Sequence, residues 1–537
     1  MSEIKQGKDF YIKRWRDLDN EQIRVRLQTE QAMREGGCNP YKNGYSADVR
    51  ADELHTRYGH LSKEEIAEVS HGRSYKLAGR VLLVRSFGKA AFLSFDDGSS
   101  ERFQIYIKNE EMSEESVREY KFLDYGDIAY AEGEVFKTNK GELSLKAKEF
   151  RILTKSLRPL PEKFHGLSDP ELRYRMRYVD LVMNPKVRET FRVRAQVVKF
   201  IRNFFYERDY LEVETPMLHS IAGGAAARPF ITHHNALGMD MFMRIAPELH
   251  LKRLITGGFQ RVFEMNRCFR NEGLSIKHNP EFTSIEFYQA YATFKDLMKL
   301  TEDLLAELVQ NIFCSSEITF GENKISFERP FRRLSIKEAV SHYAGIATSE
   351  IEDRAKLISL IEKKRIDQGG SIDMEEWKAM SQEDLLMVVF DEYVEKNLIA
   401  PTFITDYPTA VSPLSRRNDQ NPEIVDRFEL YINGWEIANA FSELNNPQDQ
   451  LERFSEQAMR KEGGDVEACD VDYDYVRCLE QGMPPTAGEG IGIDRLCMLL
   501  TNSPSIRDVI FFPQLKREAF FTEGEGENES ESEGDHV

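Results

Sequence analysis

RVFEMNRCFRNEGLSIKHNPEFTSIEFYQAY, residues 261–291, reads as two strand-like runs separated by a polar, turn-prone stretch. In the first run Arg270 and Glu272 stand two apart, so a continuing strand would point both to one face. Asn271, Gly273 and His278-Asn279-Pro280 then favour turns. The second run carries Phe282, Glu286 and Tyr288 in phase. Such a hairpin gathers a guanidinium, an imidazole and an aromatic ring over one site, the parts needed for a phosphate and a stacked base. Further along, GEGIGIDR at 488–495 adds a second arginine, Arg495. Its glycines lack the G-x-G-x-x-G spacing and Asp494 follows at once, so a dinucleotide-binding turn is disfavoured.

Composition frames this reading. With 537 residues the chain is too long for one ordinary core, and two or three domains are expected. A hydrophobic content of 41% with 30% charged residues describes a soluble globular protein. No apolar run reaches membrane-spanning length, and the start MSEIKQGKDFYIKRWRD is charged, so neither a membrane span nor a secretory signal is expected. Cysteines 38, 268, 314, 469, 478 and 497 are scattered without a Cys-x-x-Cys pair, which fits reduced thiols in the cytoplasm. A net charge of −19 argues against a general polyanion binder but leaves local basic patches open. The stretch after Thr522 holds seven acidic residues and no basic one; 517–537 reads as a disordered acidic tail.

The fold class expected is α+β. Residues 1–75 read as a charged helical extension, with one helix ending at Gly36-Gly37 and another capped by Ser62 with Glu65. Residues 76–155 hold five strand-like runs, KLAGRVLLVRSF, KAAFLSFDD, ERFQIYIK, DIAYAEGEVFKT and ELSLKAKEFRIL. They suggest a small Greek-key barrel, of the OB type or another kind. Residues 156–170, with Leu157-Arg158-Pro159-Leu160-Pro161, read as a linker, and 171–516 as a larger α/β domain. Asn433-Gly434 between RFELYI and EIANAF is a strong hairpin signal, so its sheet should be mainly antiparallel and flanked by helices. KEAVSHY and EEWKAMSQEDLLMVVFDEYVEK read as helical runs inserted at about 330–400.

The two opening stretches resemble motifs 2 and 3 of the class II aminoacyl-tRNA synthetases, and the context is most similar to their lysine-specific family. GGAAARPF at 223–230, RIAPEL at 244–249, NPEFT at 279–283, FSELN at 441–445 and IRDVI at 506–510 extend the resemblance over nearly the whole chain. It implies a class II catalytic domain behind an OB-fold anticodon-binding domain. The implied reaction activates lysine with ATP to lysyl-adenylate and passes lysine to the 3′-terminal adenosine of tRNA(Lys). The implied partners are tRNA(Lys), L-lysine, ATP and a second copy of the chain, the homodimer following from the motif 1-like stretch ending EVETP at 212–216.

The resemblance also implies residue roles. Arg270 and Arg495 would be the catalytic cations; Arg270 would grip the α-phosphate and the incoming carboxylate. Glu272 would receive the adenine amino group, Phe282 and Arg495 would cover the adenine faces, and His278 with Asn279 would hold phosphate and loop. Glu436 and Glu443 would be the carboxylates for Mg2+, with Glu436 also among the ATP contacts. Their odd spacing of seven calls for a bulge if both serve one site. Glu248, Glu286 and Tyr288 would meet the lysine ammonium, with Gly224, Asn439 and Glu443 completing the lysine site. Arg85, Phe87, Lys89, Phe92 and Gln104, on the first three strands of the barrel, would meet the anticodon. Trp435 and Ala440 depart from the family, where arginine and glycine are usual. Two rivals remain: a paralogue that attaches an amino acid to protein, and a non-catalytic RNA-binding descendant. The first usually lacks the barrel, and the second would be expected to lose Arg270, Glu443 or Arg495.

Overall fold

The computed structural model describes residues 21–161, 167, 169–367, 377, 380–465 and 467–516. The first residues of the N-terminal extension, part of the linker and the acidic tail 517–537 lie outside the described residues. The chain divides into two compact units between residues 168 and 169. Pro170 opens a helix behind an Asp169 cap at the start of the second unit.

In the first unit α1 (Glu21–Glu35), α2 (Ala51–Tyr58) and α3 (Lys63–Val69) precede the barrel. Ser62 caps α3 in a reciprocal box with Glu65. Strands β1 (Ser74–Phe87), β2 (Ala90–Asp96), β3 (Phe103–Lys108), β4 (Ile128–Lys137) and β5 (Leu143–Thr154) close in the order β1-β2-β3-β5-β4, with α4 (Glu114–Tyr120) after β3. A register shift between Val81 and Leu83 bends β1, so that one long strand pairs with β4 at its start and β2 at its end. Ala91, Leu93, Phe95, Phe103, Ile105 and Ile107 alternate into the barrel core. The turn at 97–102 leaves Phe95 opposite Phe103 and Ser94 opposite Gln104, which fixes the register.

The second unit is built on an eight-stranded sheet. Helices α5 (Pro170–Arg175), α6 (Arg177–Met183) and α7 (Pro185–Tyr206) lead into strands β6 (Leu211–Glu212), β7 (Leu218–His219), β8 (Ile231–His234) and β9 (Met239–Met243). Then come α8 (Glu248–Thr256), β10 (Arg261–Phe269), β11 (Glu281–Ala290), α9 (Phe294–Phe313), β12 (Glu317–Phe320), β13 (Asn323–Ser326) and β14 (Arg332–Ser335). Helices α10 (Ile336–Ala344), α11 (Arg354–Asp367) and α12 (Gln382–Tyr393) separate β14 from β15 (Thr402–Thr405). The chain ends on β16 (Arg427–Ile432), β17 (Trp435–Ser442), α13 (Pro447–Glu462), α14 (Tyr473–Glu480), β18 (Thr486–Gly492) and α15 (Ile493–Leu500).

The sheet order is β14-β15-β16-β17-β18-β11-β10-β6. Only the outermost pairs, β14–β15 and β10–β6, are parallel, so the sheet is mainly antiparallel as expected. The helices at 336–393 form the crossover that parallel neighbours require. They do not include the whole run from 375 to 396 as one helix, because Ser381 is extended and caps α12 with Asp384. Asn433 and Gly434 both take positive φ, 54° and 68°, as a two-residue hairpin turn requires. Helices α7, α9 and α15 cover one sheet face over Phe263, Ile285, Phe287 and Ile491, with Phe205 of α7 packed on Phe263 and Phe287. Alternation along β11 therefore turns Phe282, Ser284, Glu286 and Tyr288 to the opposite face.

Candidate active site

That opposite face holds a cavity of about 450 Å3. It is lined by Gly224, Glu248, Arg270, Glu272, His278, Asn279, Phe282, Glu286, Tyr288, Glu436, Asn439 and Arg495. Every residue expected in this unit is thus at its wall except Glu443, which is buried just behind it.

The first stretch works differently from its sequence reading. β10 ends at Phe269, so Arg270 and Glu272 stand on a loop and do not share a strand face. What places Arg270 is backbone pairing: its N–H donates to the Pro280 carbonyl at 2.8 Å, while Asn271 N–H donates to the Arg228 carbonyl at 2.7 Å. The guanidinium lies 5.2 Å from the Phe282 ring centroid, and its buried Nε has no protein partner. A buried cationic donor without an acceptor is costly, and an anion in the cavity removes that cost.

His278 and Arg495 meet across the cavity mouth. Arg495 Nη2 lies 3.0 Å from His278 Nε2, and Ser275 Oγ lies 2.8 Å from Nδ1. Arginine can only donate, so Nε2 accepts and Nδ1 carries the proton. Burial, then the charge of Arg495, lowers the pKa of His278 and keeps it neutral. Arg495 follows Asp494 at the start of α15, and Asp494 Oδ2 accepts from Thr283 N–H at 2.7 Å, locking the helix to β11. Asn279 is buried and donates to the Glu281 carbonyl at 2.6 Å, which pins the loop.

On β17 the register steps from Tyr431↔Glu436 to Leu430↔Ala438, leaving Ile437 as the extra residue of a bulge. The bulge lets Glu436 share a side with Asn439, Phe441 and Glu443, as the spacing required. Arg495 Nη1 donates to the Glu436 carbonyl at 2.9 Å and sits 3.3 Å from its carboxylate. Of the two departures from the family, Trp435 packs its ring 4.9 Å from Phe320 and Ala440 is fully buried, so both serve the core.

The acidic end of the cavity is the most charged. Burial, followed by the nearby Glu248, pushes the Glu286 pKa up to about 8, and Tyr288 Oη donates to Glu286 Oε2 at 3.1 Å. Glu248, in the first turn of α8, is ion-paired with Lys252 one turn on, and Lys252 also pairs with Glu443. Burial alone would lower the Lys252 pKa; the charges of Glu248 and Glu443 outweigh it and hold the group as an ammonium. Glu443 Oε1 has no hydrogen-bond partner. Gly490 and Gly488 of β18 face Glu286 and Tyr288 across the ladder. A Cβ on Gly488 would lie 2.3 Å from both Glu443 Oε1 and the Tyr288 ring, so only glycine leaves this end open. Gly224 has φ +88°, and a Cβ there would come within 3.2 Å of Glu248.

Sequence reasoning missed Lys252, Asp494 and the pair Arg427–Glu429, whose side chains also line the cavity or support it. The i, i+4 spacing of Glu248 and Lys252 was a usable signal. Nothing local marks Arg427.

In the barrel unit, Arg85, Phe87, Phe92 and Gln104 lie on β1–β3 as expected, but Lys89 is in the turn between β1 and β2. Phe92 is paired with Arg85 on one side and Tyr106 on the other. Ring centroids run 6.3 Å from Phe87 to Phe92, 4.9 Å to Tyr106 and 5.8 Å on to Phe136. Tyr106 and Phe136 extend the aromatic face beyond the expected set; Tyr106 was legible two residues after Gln104.

Comparison with known proteins agrees with this geometry. Residues 169–516 match the family described as tRNA synthetases class II (D, K and N), and 75–153 match the OB-fold nucleic acid binding domain. The lysine–tRNA ligase of Dichelobacter nodosus is 50% identical over 501 residues, covering 93% of this chain and 98% of the relative. That of Enterobacter sp. (strain 638) is 48% identical over 515 residues, 95% of this chain and 98% of the relative. That of Wolinella succinogenes is 50% identical over 501 residues, 93% and 97% respectively. With matching sequence along both units and the site residues gathered at one cavity, the chain belongs to the lysine–tRNA ligase family of class II tRNA synthetases.

Proposed function

We propose that the cavity joins L-lysine to ATP and then delivers it to tRNA(Lys). In the first step an oxygen of the lysine α-carboxylate attacks the α-phosphorus of ATP and pyrophosphate leaves. In the second, a hydroxyl of the 3′-terminal ribose attacks the lysyl carbonyl and AMP leaves. Two anions must meet, so the site needs fixed cations more than an acid–base pair. Arg270 is the cation for the α-phosphate and the carboxylate; its partnerless Nε supports that role. Phe282 and Arg495 cover adenine, Glu272 takes its amino group, and His278 and Arg495 hold the outer phosphates.

The observation that carries the choice of lysine is the acidic end. Glu248, Glu286 and Tyr288 converge there, and the absent side chains of Gly488 and Gly490 leave room. Aspartate or asparagine would require cationic or amide groups in that place. Gly224 and Asn439 serve the backbone of the bound amino acid, and Glu443 closes the pocket from behind.

Glu436 and Glu443 also fit Mg2+: both are hard oxygen donors on one side of a bulged strand, and Glu443 keeps one buried oxygen without a partner. Bound there, Mg2+ would neutralise charge on the triphosphate. The barrel takes the anticodon on Arg85, Phe87, Lys89, Phe92 and Gln104 by base stacking and backbone tracking. The enzyme works as a homodimer, a reading supported by exposed Leu211, Leu218, Ile231 and Leu237 near the motif 1-like stretch. A cytoplasmic setting is supported by six free cysteines, and among the described residues no helix is long and apolar enough to cross a membrane.

Magnesium-dependent ATP–pyrophosphate exchange, run without tRNA on each standard amino acid, tests the assignment. Lysine alone should support exchange; efficient exchange with aspartate or asparagine would overturn it.

A further inference from the structure

Arg427 opens β16, diagonally across the ladder from Asn439 on the same sheet face. Each nitrogen of its guanidinium has an acceptor. Nε donates to Asn439 Oδ1 at 3.1 Å, Nη1 to Ser412 Oγ at 2.8 Å and Nη2 to Glu429 Oε1 at 2.5 Å. The Tyr407 ring lies 4.5 Å below it. Glu429 is itself held, because its Oε2 accepts from Tyr407 Oη at 2.8 Å and Tyr431 Oη at 2.6 Å. The Arg427 and Glu429 side chains keep only 13% and 12% of their exposure.

A carboxamide can present either its oxygen or its NH2 to a neighbour, and the two orientations have nearly the same shape. A guanidinium has five donors and no acceptor, so only the amide oxygen can face it. The NH2 of Asn439 must then face the other way, toward the cavity that Asn439 lines. Among the described residues this NH2 has no hydrogen-bond acceptor, although the amide oxygen has its donor.

We infer that Arg427 is a positioning residue: it holds the Asn439 carboxamide with its NH2 toward the α-carboxylate of the incoming amino acid. Glu429, Tyr407 and Tyr431 keep Arg427 in place. Free to rotate, Asn439 would present its oxygen to the carboxylate part of the time, which repels it. This inference rests on the reading of Asn439 as a contact to the amino-acid backbone. It adds a specificity element at the end of the substrate remote from the acidic pocket, so that a diamine and an amino acid are told apart by a hydrogen-bonded network in the cavity wall.

The test is a double-mutant cycle read by lysine binding and by exchange. Asn439→Ala should weaken lysine about tenfold or more, as expected for losing a hydrogen bond to a charged group. Arg427→Met should give a similar loss, and Arg427→Met with Asn439→Ala together should be no worse than Asn439→Ala alone. Arg427→Lys should recover part of the loss, because an ammonium also only donates. Inhibition by 1,5-diaminopentane, which keeps the terminal ammonium and lacks the carboxylate, should be unchanged in all four proteins.

Additive losses in the cycle, or equal weakening of lysine and the diamine, would make Arg427 a purely structural residue and overturn the inference. If Asn439→Ala leaves lysine binding intact, the reading of Asn439 itself falls, and the inference falls with it. Should Arg427→Met fail to fold, Glu429→Gln in the same cycle answers the question. It loosens the guanidinium without removing it, so a smaller loss that again vanishes on Asn439→Ala is expected, and an additive one would overturn the inference.

Discussion

The outer face of the barrel and the cavity of the large sheet are both made from alternate residues of antiparallel strands, yet they place those residues in opposite environments. On the barrel the outward set includes Phe87, which is 63% exposed, and Phe92 beside Arg85 and Tyr106. These rings are stabilised by neighbouring rings, with Phe87 open to solvent and Phe92 and Tyr106 half-buried. In the cavity the corresponding set is Phe282, Glu286 and Tyr288, and behind it Glu443 and Lys252 are fully buried. Ionised groups removed from water must be paired, and that demand ties each carboxylate to a particular cation or hydroxyl. The barrel face can therefore lose one contact at a time, whereas the cavity is an interdependent set of charges. Single substitutions should cost far more in the second region than in the first, and in different steps of the reaction.

The largest effect is expected for Arg270→Ala. Its Nε has no protein partner, so the fold loses little, while the charge developing at the α-phosphate would lose the cation proposed to meet it. Exchange should fall on the order of 10²–10³-fold or more with Tm nearly unchanged. Phe92→Ala in the same assay should match the wild type. A variant that keeps most of its exchange rate would remove Arg270 from the chemistry.

Glu286→Gln comes next. It should weaken lysine by about 2–5 kcal/mol, the cost of removing a charged partner from a desolvated site, and leave ATP binding in place. It also carries a pH signature. With a folded-state pKa of about 8 against an ordinary 4.5, the folded protein holds a proton over a range where the unfolded chain has released it. Stability contributed by this group therefore falls as pH rises between those values. The Tm advantage of Glu286→Gln over wild type should grow across that window and level off above it. Lysine should bind the wild type more tightly as Glu286 ionises toward pH 8, and a flat profile would contradict the role of Glu286 as the ammonium's partner.

These expectations also mark what the sequence could and could not disclose. Period-two alternation placed Phe282, Glu286 and Tyr288 on one face, and Asn433-Gly434 and the Glu436–Glu443 spacing exposed a hairpin and a bulge, because each depends on local backbone geometry. Arg270 and Glu272 are not the strand neighbours their spacing suggests: the loop is held by hydrogen bonds from Arg270 N–H to the Pro280 carbonyl and from Asn271 N–H to the Arg228 carbonyl, which no local pattern announces. The pairing of Lys252 with Glu248 is local and legible as an i, i+4 spacing, but its link to Glu443 and the bonds of Arg427 to Ser412 and Asn439 come into view only in the folded chain. The roles assigned to Arg270, Arg495 and Phe282 came from motif resemblance, since an isolated arginine or phenylalanine carries no such meaning.

In the barrel, Phe92→Ala should leave lysine-dependent exchange unchanged and reduce transfer to tRNA. A stacked base contributes on the order of 1–3 kcal/mol, roughly 5- to 150-fold in affinity. The loss should shrink for a tRNA with an altered anticodon. Equal losses for both tRNAs, or slower exchange without tRNA, would make Phe92 a folding residue held between Phe87 and Tyr106.

The smallest effect is expected for Lys89→Ala, and the structure makes it smaller than the sequence alone would suggest. Lys89 sits at the hairpin tip with its ammonium 3.1 Å from Glu110, both side chains well exposed. A phosphate contact there must first displace that carboxylate, although an exposed pair of this kind is worth at most about 1 kcal/mol. Lys89→Ala should weaken tRNA of any anticodon by a similar factor and lower the salt slope by about one unit, the mark of a single phosphate contact. Glu110→Ala should act in the opposite direction, tightening tRNA at low salt by freeing the ammonium and removing a negative charge from the path of the backbone. Measuring both variants with matched and altered anticodons separates attraction from base reading. If Lys89→Ala discriminates between the two tRNAs as strongly as Phe92→Ala, the turn reads bases, and the division between an aromatic reading face and a cationic rim on this barrel would have to be abandoned.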